Sequence, residues 1–175
     1  MALVISTNTS TKHVTSGGAQ DLNERFMRLA DHLADVPPNL QTTFTEACRY
    51  LGIEQEPLID ILVSSEPALC FTSLYVSKLH LLALAVTLPL RTWTTSIVMG
   101  AQRLDSSELQ LLFPALGSLA MLSTFDISQN PIGSVGVMIL VRLAQRCRLL
   151  KQVNIDGVEV VPSVRRKLEM ILASR

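Results

Sequence analysis

Few residues in this chain are of a type that does chemistry, and their spacing assembles no reactive set. Cys48, Cys70 and Cys147 lie far apart, and no two form a Cys-x-x-Cys pair. An odd number of isolated thiols supports neither a disulfide framework nor a zinc site, and it fits a reducing compartment. His13, His32 and His80 have no thiol or second histidine at metal-ligand spacing, and Cys70 has no neighbouring histidine to activate it. The expectation is no catalytic residue, no metal ligand, no cofactor and no enzymatic activity. What remains is the chemistry of docking, carried by charge.

Charge is balanced over the whole chain, fifteen basic residues against fifteen acidic, so no overall field steers it toward nucleic acid or anionic membrane. By region it is uneven. Residues 21–66 hold nine acids and three bases, whereas residues 67–175 hold eleven bases and six acids. The bases crowd toward the end, at Arg142, Arg146, Arg148, Lys151, Arg165, Arg166 and Lys167. A run of this kind is a solvated helix face or a dock for an acidic partner, either a protein surface or RNA phosphate. No aromatic residue interleaves with these bases, which weighs against RNA. The apolar fraction is 48% and the charged fraction 17%. The longest apolar stretch, 79–90, contains His80 and Pro89 and falls short of the roughly 20 residues a membrane span needs. No membrane association is expected; such apolarity fits a buried core or a protein covered by neighbours.

The elements that must position these groups follow a 28-residue period. Starting from Glu66, Thr94, Leu122 and Leu150, the fourth and sixth residues are Leu69 and Phe71, Ile97 and Met99, Phe125 and Ile127, Val153 and Ile155. The nineteenth is Leu84, Leu112, Leu140 or Leu168. A period of this length predicts a repeat architecture. Each first half alternates as a short strand does, and each second half has helical spacing. Asp105 or Ser106 is placed to cap the second of these helices, and Pro162 marks the start of the fourth.

Before the repeats, residues 1–20 are rich in Ser, Thr and Gly with one charge, Lys12, and read as a flexible arm. This arm has no acid, which leaves a mitochondrial address as an alternative, and no arginine, which argues against it. From Asp21 three helices are expected. The first has Leu22, Phe26, Leu29, Ala30 and Leu33 on one face and ends at Pro37-Pro38. The second carries Leu40, Phe44, Ala47, Cys48 and Leu51 and stops at Gly52. A short third begins at Pro57 with Leu58, Ile61 and Leu62. Residues 21–65 are therefore expected to cap the first repeat.

Residues 122–144, LSTFDISQNPIGSVGVMILVRLA, resemble one leucine-rich repeat of the ribonuclease-inhibitor type, LxxLxLxxNxLxxxGxxxLxxxL, with Asn130 and Gly136 at the asparagine and glycine positions. The other three repeats keep the leucines but carry Leu74, Gln102 and Val158 at the asparagine position and His80, Glu108 and Val164 at the glycine position. The resemblance covers about residues 66–174. It implies a short right-handed βα solenoid of four repeats over 66–175, α/β in class, with a parallel sheet inside, helices outside and an N-terminal helical cap. It implies no particular activity, because the same architecture serves inhibitors, adaptors, GTPase regulators and cytoskeletal or ciliary components.

In such a solenoid the strand residues facing away from the helices form the concave surface: Cys70, Val98, Asp126 and Asn154, then Thr72, Gly100, Ser128 and Asp156. That face is small and turns acidic toward Asp126 and Asp156. Repeat four ends near Leu172 with no capping element after it, which predicts an exposed strand edge and an uncovered apolar end at Val153 and Val158. The leading expectation is a non-enzymatic scaffold subunit inside the cell, cytoplasmic or cytoskeletal, with ciliary assemblies first. A partner protein would cover the end, and an acidic protein surface would meet the basic helices. The alternatives are an RNA-protein or organellar ribosome-associated subunit, and an adaptor or GTPase regulator.

Overall fold

Three helices begin the described part of the chain because their apolar residues recur at helical spacing and their ends carry stop and start signals. The computed structural model describes residues 17–175; of the flexible arm expected over residues 1–20, residues 1–16, with His13, lie outside the described residues, and 17–20 belong to the first helix instead. Helix α1 runs Gly17–His32, starting four residues before the predicted Asp21. It buries Leu22 and Leu29. Helix α2 is Leu40–Leu51, where the Asn39 side chain accepts the Thr42 amide (3.1 Å) and Gly52 stops the helix at φ 66°. A side chain is strained at that φ, and glycine is not. Helix α3, Leu58–Val63, buries Leu58, Ile59 and Leu62, so Ile59 packs inward where Ile61 was expected to. Helix α2 packs on α3 and α4, α1 on α4 and α5, and α3 lies beside the first strand.

After α3, strands and helices alternate: β1 Ala68–Cys70, α4 Lys78–Thr87, β2 Ser96–Val98, α5 Ser106–Leu116, β3 Thr124–Asp126, α6 Gly133–Arg146, β4 Gln152–Asn154 and α7 Pro162–Ala173. A 3-10 turn, Leu88–Leu90, extends α4. Among the described residues the protein is thus a mixed α/β structure of seven α-helices and one four-stranded parallel sheet in the order β1-β2-β3-β4. Parallel neighbours need a long crossover, which each helix supplies. The pairing keeps the 28-residue step: Leu69 opposes Ile97, Ile97 opposes Phe125, and Phe125 opposes Val153. We number the strand–helix pairs units one to four. Their helices pack in succession, α4 on α5, α5 on α6 and α6 on α7. The core lies between this helix layer and one face of the sheet.

Buried amides fasten unit to unit. The Asn130 Oδ1 accepts the Leu104 amide (2.9 Å), and its Nδ2 donates to the Met99 carbonyl (2.8 Å). Gln102 repeats this one unit earlier: its Oε1 accepts the Val76 amide (3.1 Å) and its Nε2 donates to the Phe71 carbonyl (2.8 Å). Gln102 thus makes in unit two the contacts that Asn130 makes in unit three. Unit four has Val158 in the same register and lacks this fastener to unit three. Just before these residues the chain turns left-handed at Ala101 (φ 56°), Gln129 (φ 55°) and Gly157 (φ 74°), each 28 apart.

Helix starts explain the other departure from the pattern. In α4 the Ser77 side chain accepts the His80 amide and the His80 ring pairs back to Ser77. In α5 Asp105 accepts the Ser107 and Glu108 amides while Glu108 accepts the Asp105 amide (2.8 Å). His80 and Glu108 thus close reciprocal caps. Helix α6 has no side-chain cap. There Gly136 stands in that register, and a Cβ on it would fall 2.4 Å from the Cβ of Ile132.

Candidate functional site

Strand pleating sends Leu69, Ile97 and Phe125 into the core and the alternate residues outward. The outer face carries Cys70, Val98, Asp126 and Asn154 side by side, with Ser96, Thr124 and Gln152 in the row before them. Several of its polar groups satisfy one another. Thr124 donates to Ser96 (2.7 Å), and Asn154 Nδ2 donates to Asp126 Oδ2 (3.0 Å). The Ser128 amide donates to Asp126 Oδ1 (2.9 Å). Burial pushes the Asp126 carboxyl up, but the hydrogen bonds from Ser128 and Asn154 outweigh it and hold it below the ordinary range. Asp126 is therefore committed to the protein itself. Asp156 is exposed, and its backbone amide donates to Asn154 Oδ1 (3.0 Å).

The basic residues do not form one patch. Arg142 and Arg146 lie in the last half of α6, whereas Arg165, Arg166 and Lys167 lie in the first half of α7. Arg165 shares its register with Val137, nine residues before Arg146, or about 13 Å along the helix axis. Arg165 is half-buried, and Arg146 Nε donates to the Gly117 carbonyl (3.1 Å). Arg142, Arg166 and Lys167 stand in solvent.

At the end of the sheet, β4 pairs only with β3. Val153 is half-buried, but Val158 is 5% exposed. The expectation that Val158 presents an apolar surface is therefore corrected: it packs inside unit four. Other positions carry the exposure. Val76, Leu104 and Ile132 are buried, and their counterpart Val160 is half-buried. Leu88, Leu116 and Ala144 are buried, and Leu172 in that register is half-buried. Ile171 differs in the same way from Ala115 and Leu143. The Arg175 guanidinium folds back to the Ala144 and Cys147 carbonyls at the end of α6, where a cation is favoured.

Arg91 went unnoticed in the sequence. It is fully buried. Its Nε donates to the Leu62 carbonyl (2.8 Å), one Nη to the Ser64 carbonyl (2.8 Å) and the Glu66 carbonyl, and the other Nη to Thr94 (3.2 Å). Burial pulls the guanidinium below the ordinary arginine value. The signal was present: the same register holds Leu119 and Cys147, so a charge sits where other units bury apolar groups. Trp93 is 41% exposed and lies over Arg91, 5.1 Å from ring centre to guanidinium carbon.

Among the described residues two thiols are buried and both imidazoles have structural partners. Burial pushes Cys48 up to about 11 and raises Cys147 as well. Cys70 is exposed, and its hydrogen bonds with Thr72 lower it. His32 stacks on Tyr50 at 4.4 Å, and His80 Nε2 lies 3.0 Å from the Glu54 carbonyl. Among the described residues no group of three His, Cys, Asp or Glu side chains is placed to hold a metal ion, and no helix is long and apolar enough to cross a membrane. Compared with protein-family models, curated proteins and solved structures, the chain matches none.

Proposed function

We propose that this chain is a non-enzymatic protein–protein interaction module, a short leucine-rich-repeat solenoid that serves as a subunit of a larger assembly. One observation carries the reading: unit four leaves half-exposed, at Val160, Ile171 and Leu172, the positions that units one to three bury. Covering a few hundred Å² of such surface is worth several kcal/mol at about 25 cal/mol per Å². Arg166 and Lys167 stand exposed on α7, which favours an acidic rim on the protein that covers this end. A fixed place in a cytoskeletal or ciliary assembly is the setting to test first.

The test is purification of the tagged protein from its own cells, as wild type and as Val160→Lys/Ile171→Lys, with and without nuclease. The expected result is a fixed set of companion proteins that survives nuclease and is lost in the double variant. Native circular dichroism of the variant must show the rest of the fold intact. Undiminished recovery by the variant overturns the reading. Release of the companions by nuclease would replace it with an RNA-bound subunit, whose binding weakens steeply with salt.

A further inference from the structure

We infer that the turns leading into β2, β3 and β4 carry a second, separate docking ridge, formed by Trp93, Met121 and Leu149 and fitted to an amphipathic helix with acids beside its apolar stripe. The three residues stand 28 positions apart, and each is third in the same turn. The amides of Thr94, Leu122 and Leu150 donate to the carbonyls of Arg91, Leu119 and Cys147 at 3.2, 3.2 and 3.1 Å. Just beyond, the ladder is unbroken: the Ser123 amide donates to the Thr95 carbonyl (2.8 Å) and the Lys151 amide to the Ser123 carbonyl (2.9 Å). Backbone pairing thus sets the three side chains in one row, spaced about 5 Å apart as neighbouring strands are.

Packing uses them only in part: Trp93 lies over the Arg91 guanidinium, yet the row stays open to solvent. The turn's first residues, Arg91, Leu119 and Cys147, fill the interior, while Trp93, Met121 and Leu149 are 41%, 48% and 43% exposed. Single exposed apolar residues are ordinary on any protein. A row is not: among the described residues no other register position carries a large exposed apolar side chain in more than one unit.

Spacing selects the occupant. Residues on one face of an extended strand recur about every 6.7 Å, too far apart for this row. A helix advances about 5.4 Å per turn, so residues i, i+4 and i+7 seat one apolar group beside each ridge residue. Charge orients it. Arg148 and Lys151, both exposed, bracket Leu149, while exposed Glu66 stands at the Trp93 end. Acids therefore belong on the helical turn over Leu149. This ridge lies on the turns before the strands, apart from the unit-four face, and its occupancy does not depend on that face.

Trp93 is the chain's only tryptophan, so its emission reports contact directly. The full-length protein is titrated with a synthetic helical peptide of about twenty residues, with Leu at i, i+4 and i+7 and Glu over one end, and with the same peptide carrying Lys for each Glu. The expected result is a saturable blue shift with the Glu peptide and binding weaker by about tenfold or more with the Lys peptide. A similar loss is expected in Met121→Glu and, independently, in Arg148→Glu/Lys151→Glu, each retaining the wild-type thermal midpoint. If Met121→Glu unfolds, the charge-reversal pair decides. No blue shift at peptide concentrations on the order of 100 μM, equal response to both peptides, or unchanged binding by the charge-reversal pair overturns the inference. A dimer in light scattering that Met121→Glu abolishes would give the ridge to a second copy. A blue shift with phosphatidylserine vesicles but not with peptide would give it to a lipid surface. Either outcome overturns the helix assignment.

Discussion

The two ends of the strand–helix stack are finished in opposite ways. Before unit one, α1 to α3 bury Leu29, Phe44, Leu58 and Leu62 almost completely, and Arg91 ties the 62–66 connection to the turn before β2 through carbonyl oxygens. In unit four, α7 buries Leu168 alone, Val158 stands where Gln102 and Asn130 fasten the preceding units, and Val160, Ile171 and Leu172 are half-open. Helices α4 and α5 have reciprocal caps, whereas α6 and α7 have no side-chain cap. The same register position thus has different fates at the two ends. What lies next to a residue decides its burial as much as its own type does.

The comparison breaks most readily at Arg91. Arg91→Ala removes its donors from buried carbonyls and empties a packed site, and is expected to cost about 3 kcal/mol, read by urea unfolding. A cost near zero would mean that the first end is held by apolar packing alone. Next comes a matched pair of leucines. Leu140→Ala in unit three should cost about 3 to 4 kcal/mol and Leu168→Ala in unit four about 2 kcal/mol, because a cavity at an open end collapses more completely. Equal losses would show that unit four is packed as firmly as the middle of the stack.

The smallest effect sharpens the difference in capping. Asp105→Ala should cost about 1 kcal/mol at neutral pH. The Asp105 carboxyl is pushed up by burial and pulled down by hydrogen bonds from Ser107 and Glu108, which prevail. A folded value below the unfolded one, near 3.9, stabilises fully above about pH 4 and is lost as the pH falls through the folded value. The wild type should therefore lose this increment in acid and Asp105→Ala should not. Parallel stability-versus-pH curves for the two proteins would contradict the cap.

Much of the positioning was legible. Alternation placed Leu69, Ile97 and Phe125 on the inner face of three-residue strands, and the 28-residue step between them is the register in which those strands pair. Asp105, Gly52 and Pro162 act at helix ends where their backbone preferences put them. The candidate site was less legible. Asp126 reads as a free acid but is held by Asn154 and Ser128, since a 28-residue separation becomes a 3.0 Å contact only once the strands pair. The basic run divides because Arg146 and Arg165 are close in sequence yet belong to different ends of neighbouring helices.

The sequence by itself determined the order of strands and helices, several of their stops, and which residues share a register, because backbone hydrogen bonding and side-chain period act locally and repeat. Tertiary structure alone decided that Arg91 is buried among carbonyls, that Gln102 repeats the contacts of Asn130, that Val158 is closed while Val160 is open, and that Trp93, Met121 and Leu149 form a row. Each of these depends on contact between segments about one period or more apart, where burial and charge are settled by what the fold brings alongside.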